Sequence, residues 1–166
     1  MTVDSFKYLP RSFRAGYENL GWQAETPVWA SLKKPLEETT VALLTSAGLY
    51  MKGSQPPFDV ERERREPLWG DPSYRVIPRS VMQAELGAEH LHLNTRDFLL
   101  DFNVALPIGP FSTLEEEGVI GKLADEHYSF MGFQARGGEE WRTRYAPEVA
   151  HRLQDAEVEA LVLAPA

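Results

Sequence analysis

The sequence predicts an α/β domain of three layers on a mostly parallel sheet, and three observations carry that expectation. Residues 39–45, Thr-Thr-Val-Ala-Leu-Leu-Thr, are a β-branched and apolar run that ends in the turn Ser46-Ala47-Gly48. Such a run reads as a strand buried on both faces. Residues 158–164, Val-Glu-Ala-Leu-Val-Leu-Ala, form a second apolar run, closed by Pro165-Ala166. Between the two, Pro147 fits the first turn of a helix, and Val149, Ala150, Leu153 and Ala156 recur at helical spacing. A helix feeding an apolar strand is the order of a right-handed parallel crossover. The expected sheet is Rossmann-like or flavodoxin-like, includes 41–44 and 160–163, and lacks the helix that would follow its last strand.

The remaining elements are read in order around that frame. Residues 1–36 carry Phe6, Tyr8, Phe13, Tyr17, Trp22 and Trp29 with Pro10, Pro27 and Pro35, which predicts an irregular, aromatic-rich N-terminal arm on a single domain spanning 1–166. Residues 52–75 are rich in Pro, Gly and charge, the composition of a long covering loop. A short helix is expected over 81–86. His90-Leu91-His92-Leu93 alternates like a strand, and 101–107 reads as an extended segment ended by Pro107. A helical turn over 113–117 is stopped by Gly118, and Gly121 marks a second break.

Composition narrows the function classes. A length of 166 residues suits one domain with a sizeable core, and 43% hydrophobic with 11% aromatic residues argues against disorder. The net charge of -8 disfavours nucleic-acid and anionic-membrane partners. The charged run Glu61-Arg62-Glu63-Arg64-Arg65-Glu66 is mixed in sign and reads as a solvated helix or loop. No 18-residue apolar run and no signal-peptide core is present, so a cytoplasmic location is expected. The cysteine count is 0. Either the core needs no thiol, or a redox residue lies beyond Ala166, and composition does not choose between them.

Several groups have chemistry when read alone. His90 and His92 would share one strand face, where His127 or Asp101 could complete a metal site; two surface or hydrogen-bonded histidines are the alternative, and no metal is predicted. Ser46-Ala47-Gly48 after a strand could cradle an anion on its backbone N–H groups, or be an ordinary turn. Arg75, beside the turn Asp71-Pro72-Ser73, could bind a carboxylate or be a surface arginine. No G-x-S-x-G, H-E-x-x-H or Walker motif occurs.

Taken in chain order, the segments resemble a family. Val41-Ala42-Leu43-Leu44-Thr45-Ser46-Ala47-Gly48 with Lys52-Gly53, then Gly70-Asp71-Pro72-Ser73-Tyr74-Arg75-Val76-Ile77-Pro78, then His92, are similar to the selenoprotein B subunits of glycine, sarcosine, betaine and D-proline reductases. So are Asp101-Phe102-Asn103-Val104-Ala105-Leu106-Pro107-Ile108, Glu116-Glu117-Gly118-Val119-Ile120-Gly121 and Ser129-Phe130-Met131-Gly132. The resemblance covers residues 40–166 and is closest to the D-proline reductase branch. One departure is Gly109-Pro110-Phe111-Ser112, which stands where the family continues into a charged helix.

The resemblance implies a subunit of an amino-acid reductase that cleaves a C–N bond α to a carboxylate. A selenocysteine or cysteine would follow the strand that resembles residues 160–165. At a helix N-terminus its selenolate or thiolate is stabilised by unpaired N–H groups. That implies an ending just before the nucleophile, through a UGA codon read as a stop or a cut chain; a short non-catalytic paralogue acting as a small-molecule-binding or assembly protein is the alternative. The chain alone would be inactive and bind no cofactor. A pyruvoyl-bearing reductase subunit, or self-association, is the implied partner, and a dithiol or selenol the implied reductant. A small amino-acid-like substrate would meet Ser46, Gly48, Arg75, His92, Asp101, Pro165 and Ala166.

Overall fold

Strand β1 (Thr40–Thr45) is the axis of the sheet, with Val41, Ala42 and Leu43 all at most 2% exposed. The structure, a computed structural model, describes residues 30–66, 69–134 and 138–166. The aromatic arm expected over 1–36 therefore lies almost wholly outside the described residues, and the fold below is that of the unit Leu32–Ala166.

Both apolar runs are strands of one sheet, as the sequence predicts, and they lie side by side. Strand β7 (Ala160–Ala164) pairs parallel with β1, from Val41 opposite Ala160 to Thr45 opposite Ala164. On the other edge of β1 lie two short parallel strands in succession. These are β5 (Lys122–Leu123), opposite Thr40 and Val41, and β6 (Glu126–Ser129), opposite Leu44 and Thr45. In the gap between them the Leu43 N–H donates to His127 Nδ1 at 3.2 Å. The fully buried imidazole thus stands in for a ladder carbonyl.

The sheet is mixed rather than mostly parallel. Strand β3 (Arg75–Pro78) runs antiparallel along the outer edge of β6. Strands β2 (Leu49–Met51) and β4 (Leu86–Ala88) form a separate antiparallel pair. A parallel return needs a crossover, usually through a packed helix. Among its described residues, the connection from β2 to β3 holds the six-residue α1 (Val60–Arg65), started by an Asp59 carboxylate that accepts from the Arg62 N–H.

One face of the sheet is well covered. Val41, Leu43, Ile77 and Leu123 pack with Phe102, Leu106 and Ile108, which lead into α3 (Ile108–Glu116). The Gly109-Pro110 pair does not interrupt this helix. It sits in its first turn, where a missing N–H leaves no carbonyl unpaired. On the opposite face, α4 (Gly138–Glu140) runs through one π-turn (Trp141–Tyr145) into α5 (Ala146–Asp155), with Pro147 in the first turn of α5 as expected. The π-turn brings Trp141 onto Phe130 and Tyr145 onto Tyr74, and Val149 adds the buried side of α5. This cover stops short of β7. Leu161 is 37% and Leu163 64% exposed, lining an apolar groove of about 290 Å³ with Phe130, Trp141, Val149 and Leu153. Among the described residues the fold is thus α/β with a mixed sheet and is not clearly three-layered or Rossmann-like.

Three local expectations change. Residues 90–93 are not a strand, and 91–93 are bends; 101–107 contains a 3-10 turn, Phe102–Val104; and the segment over 81–86 is a single 3-10 turn, Gln83–Glu85, entering β4. Helix α2 (Arg96–Leu100) precedes the Asp101 cap. Among the described residues, no helix is long and apolar enough to cross a membrane.

Candidate functional site

The carboxyl ends of β1 and β7 deliver two chain segments to one point. The parallel register carries Thr45 opposite Ala164, so Ser46 and Ala166 emerge side by side. The Ala166 N–H donates to Ser46 Oγ at 3.0 Å, while Pro165 stands exposed between β7 and that contact. The Ser46 turn then reverses through Gly48, whose φ of +67° lies in the left-handed region. Its N–H donates to Phe130 O at 3.0 Å, and its carbonyl accepts from the Glu89 N–H at 3.0 Å. A β-carbon at Gly48 would stand 2.1 Å from Glu89 O, so this turn also fixes where the His90–His92 segment begins.

That segment and residues 131–134 complete the site. The His92 N–H donates to His90 Nδ1 at 3.1 Å, and the two rings meet edge to face with centroids 6.0 Å apart. His92 packs the other way on the edge of Phe133, at 5.8 Å. Residues 131–134 are tied down by Gln134, whose Nε2 donates to Asp71 O and Met131 O. His90 Nε2 is buried beside Gly132 and has no hydrogen-bond partner among the described residues. Burial, reinforced by the neighbouring His92, pulls the His90 imidazole below its ordinary value and favours the neutral ring.

Glu63 lies beneath this edge. It projects from α1 and is only 2% exposed, although the sequence around it is charged on both sides. Its Oε1 is 3.2 Å from His92 Nε2, and neither carboxylate oxygen has a well-aligned hydrogen-bond partner among the described residues. Burial pushes the Glu63 carboxyl up; the adjacent His92 opposes that shift and Asp71 adds to it. The charged-run reading missed this residue. The available signal was spacing, since Glu63 lies one helical turn after Val60 on the inward side of α1.

The other candidates are not brought to this point by any contact. Arg75 is 7% exposed and locked from several sides. Its Nε donates to Pro56 O, Nη1 to Ser73 Oγ and Tyr74 O, and Nη2 to Pro57 O, with Phe58 stacked at 4.1 Å. Asp71, 3.7 Å away, balances its charge and ties the Ser73 N–H into the turn. Asp101 accepts from the Asn103 N–H and side-chain amide as a cap. His127 is sealed within the sheet, so it does not join His90 and His92 as a ligand. Among the described residues no cluster of three or more His, Asp or Glu side chains has metal-binding geometry.

Comparison with known proteins follows the same span of chain. Residues 19–166 match the family described as Glycine/sarcosine/betaine reductase selenoprotein B. The chain belongs to this selenoprotein B family. It is 35% identical over 139 residues to a protein of Acetoanaerobium sticklandii named D-proline reductase subunit gamma, an alignment covering 82% of this chain and 52% of that relative. It is 30% identical over 133 residues to the Glycine reductase complex component B subunit gamma of Symbiobacterium thermophilum, covering 78% of this chain and 29% of the relative. The chain thus spans about half the length of the first relative and less of the second. No solved structure matches it.

Proposed function

We propose that this selenoprotein B chain is part of an amino-acid reductase complex and forms one wall of the site where a C–N bond α to a carboxylate is cleaved. The observation that carries the reading is the register of β1 on β7, which sets the Ser46 turn and Ala166 at one sheet edge. Reacting groups collect at the carboxyl ends of parallel strands. In this reading the redox nucleophile follows β7 at this edge, as the family resemblance implies. The present residues contribute the Ser46–Gly48 turn, the His90–His92 segment and the Gly132 approach.

In this reading a small amino acid binds at the edge, and a selenolate or thiolate attacks its α-carbon while the amine departs. The pyruvoyl group of a partner subunit supplies a carbonyl that withdraws electrons from the amine nitrogen. A second thiol or selenol then resolves the adduct, so the two electrons come from the dithiol or selenol reductant.

The test compares three preparations with glycine, sarcosine, betaine and D-proline as substrates and a dithiol as reductant. The 166-residue chain alone should release no amine product, because it contains no thiol or selenol. A chain extended past Ala166 with cysteine first should be alkylated readily near neutral pH. Mixed with the pyruvoyl-bearing subunit, the extended chain should release product from at least one substrate. Turnover by the short chain alone, or an extended thiol that resists alkylation, would sink the reading.

A further inference from the structure

A strand at the edge of a sheet leaves one row of backbone groups unpaired, and proteins blunt such edges with charges, prolines or bulges. Among the described strands, β7 pairs with β1 alone. Which of its groups face outward follows from β1. The Val41 and Thr45 carbonyls accept from the Ala124 and Phe130 N–H groups on the β5–β6 side, and the Leu43 N–H is given to His127 there. Ala42 and Leu44 therefore turn to β7. Their opposite residues are Leu161 and Leu163, so they bond to the neighbours of those two, Ala160, Val162 and Ala164. The N–H and C=O groups of Leu161 and Leu163 are left on the open edge. The Ala166 N–H, turned inward onto Ser46 Oγ, continues the same alternation.

The residues along this edge form a palindrome. Ala160-Leu161-Val162-Leu163-Ala164 reads the same in both directions, and it contains no charged residue, no proline and no glycine. The usual edge protection is missing from the strand itself. Its leucine side chains are exposed on the groove side of the sheet. Charge decides what such an edge can meet. Copies of a chain with net charge -8 repel one another unless neutral surfaces come together. Residues 160–166 are neutral throughout. The charge just before them, Glu159, is answered by Lys34 at 2.8 Å and by the Thr40 N–H.

We propose that the open edge of β7 pairs with β7 of a second copy of this chain, antiparallel about a two-fold axis at Val162. An antiparallel ladder needs opposed residues whose backbone groups both face the seam. An axis at Val162 sets Leu161 of each copy opposite Leu163 of the other, the residues whose groups point outward. Val162 then meets itself, and Ala160 meets Ala164. Each exposed leucine gains a leucine across the seam on the same face. One step further out, Glu159 would stand opposite Pro165, which has no N–H, so the ladder ends there. A contact that uses the same patch on both copies closes at two. The Ser46–Ala166 corners lie at opposite ends of the seam. A ladder this short is small beside the roughly 1,000 Å² that lasting interfaces exceed, so the pairing is reversible and grows with concentration. The inference does not depend on the reductase reading.

Sedimentation of the 166-residue chain tests the proposal. The mass should be that of one chain when dilute and approach twice that value by millimolar concentration. Leu163→Lys, at a position open to water in the single chain, should keep the circular dichroism spectrum and weaken association by about tenfold or more. The chain has no cysteine, so Val162→Cys introduces a lone thiol at the axis. Directly opposed residues of a non-hydrogen-bonded pair have Cα atoms about 4.5 Å apart, within reach of a disulfide. Mild oxidation should therefore link two copies through residue 162. Leu100→Cys, on α2 and more exposed, should link far more slowly. A chain that stays single to millimolar concentration, association untouched by Leu163→Lys, or equal linking at the two cysteines overturns the proposal. So does hydrogen-exchange protection of the Leu161 and Leu163 amides that arises only when a pyruvoyl-bearing subunit is added, which would make the occupant a strand of that partner.

Discussion

At the scale of single residues, backbone conformation sets two experiments apart. Glu157 is the one non-glycine residue with positive φ among those described, at +53°. It closes α5, where the N–H groups of Ala156, Glu157 and Val158 donate to Arg152, Gln154 and Leu153 carbonyls. That is a left-handed helix end of the kind glycine usually fills. Glu157→Gly should therefore stabilise the fold by about 0.5–1 kcal/mol, read as a higher urea midpoint. A midpoint that falls would refute the argument. Gly48 gives the opposite case. At φ +67° with Glu89 O 2.1 Å from a would-be β-carbon, Gly48→Ala must strain the backbone and also displace a carbonyl. A loss above about 2 kcal/mol is expected. Gly118→Ala is the control, because its φ of +70° faces open space and the conformational cost of about 1 kcal/mol should stand alone.

At the scale of elements, the two paired strands are buried very differently. Leu43 on β1 is 0% exposed, whereas Leu163 on β7 is 64% exposed. Leu43→Ala should cost about 2–5 kcal/mol, since a close-packed core cannot refill the cavity. Leu163→Ala should stay within about 0.5 kcal/mol. Equal losses in chemical denaturation would mean that the β7 face is covered in solution. The same two strands were the most legible part of the sequence, because each is a continuous apolar run, and α5 declared itself through Pro147 and its apolar spacing. What escaped notice was short or locally ambiguous. Strands β2 to β6 have two to four residues each, too few for any periodicity to show. The alternation at 90–93 mimicked a strand, while the chain bends there to set His90 against Gly132. In the site, Ser46 and Ala166 could each be named from the ends of the two strands, but their pairing comes from the register. Glu63 could not be named at all, because its burial is decided by tertiary packing.

For the whole molecule, the imidazole inside the sheet ties stability to pH. His127 is fully buried, its Nδ1 accepts the Leu43 N–H, and burial with the nearby Arg79 pulls its pKa down to about 4 against the opposing pull of Asp125. The ordinary value of 6.5 applies when the chain is unfolded. Between those two values the unfolded state binds the proton and the folded state does not, so stability falls as pH falls. The contribution is complete above pH 6.5, declines through the window down to about 4, and is flat below it. At about 1.36 kcal/mol per pH unit, acidifying from neutrality to about pH 5 should remove roughly 2 kcal/mol through this one residue. His90, also held down by burial, acts in the same direction, whereas the raised Glu63 carboxyl gains stability on acidification. The net slope of the protein therefore mixes several groups, and the informative quantity is the difference between two chains. His127→Gln cannot take up a proton, so its stability should decline less steeply between neutrality and about pH 5, by roughly 2 kcal/mol, even where the substitution lowers stability throughout. Parallel curves for the two proteins in urea denaturation across that window would show that His127 becomes charged without leaving the sheet.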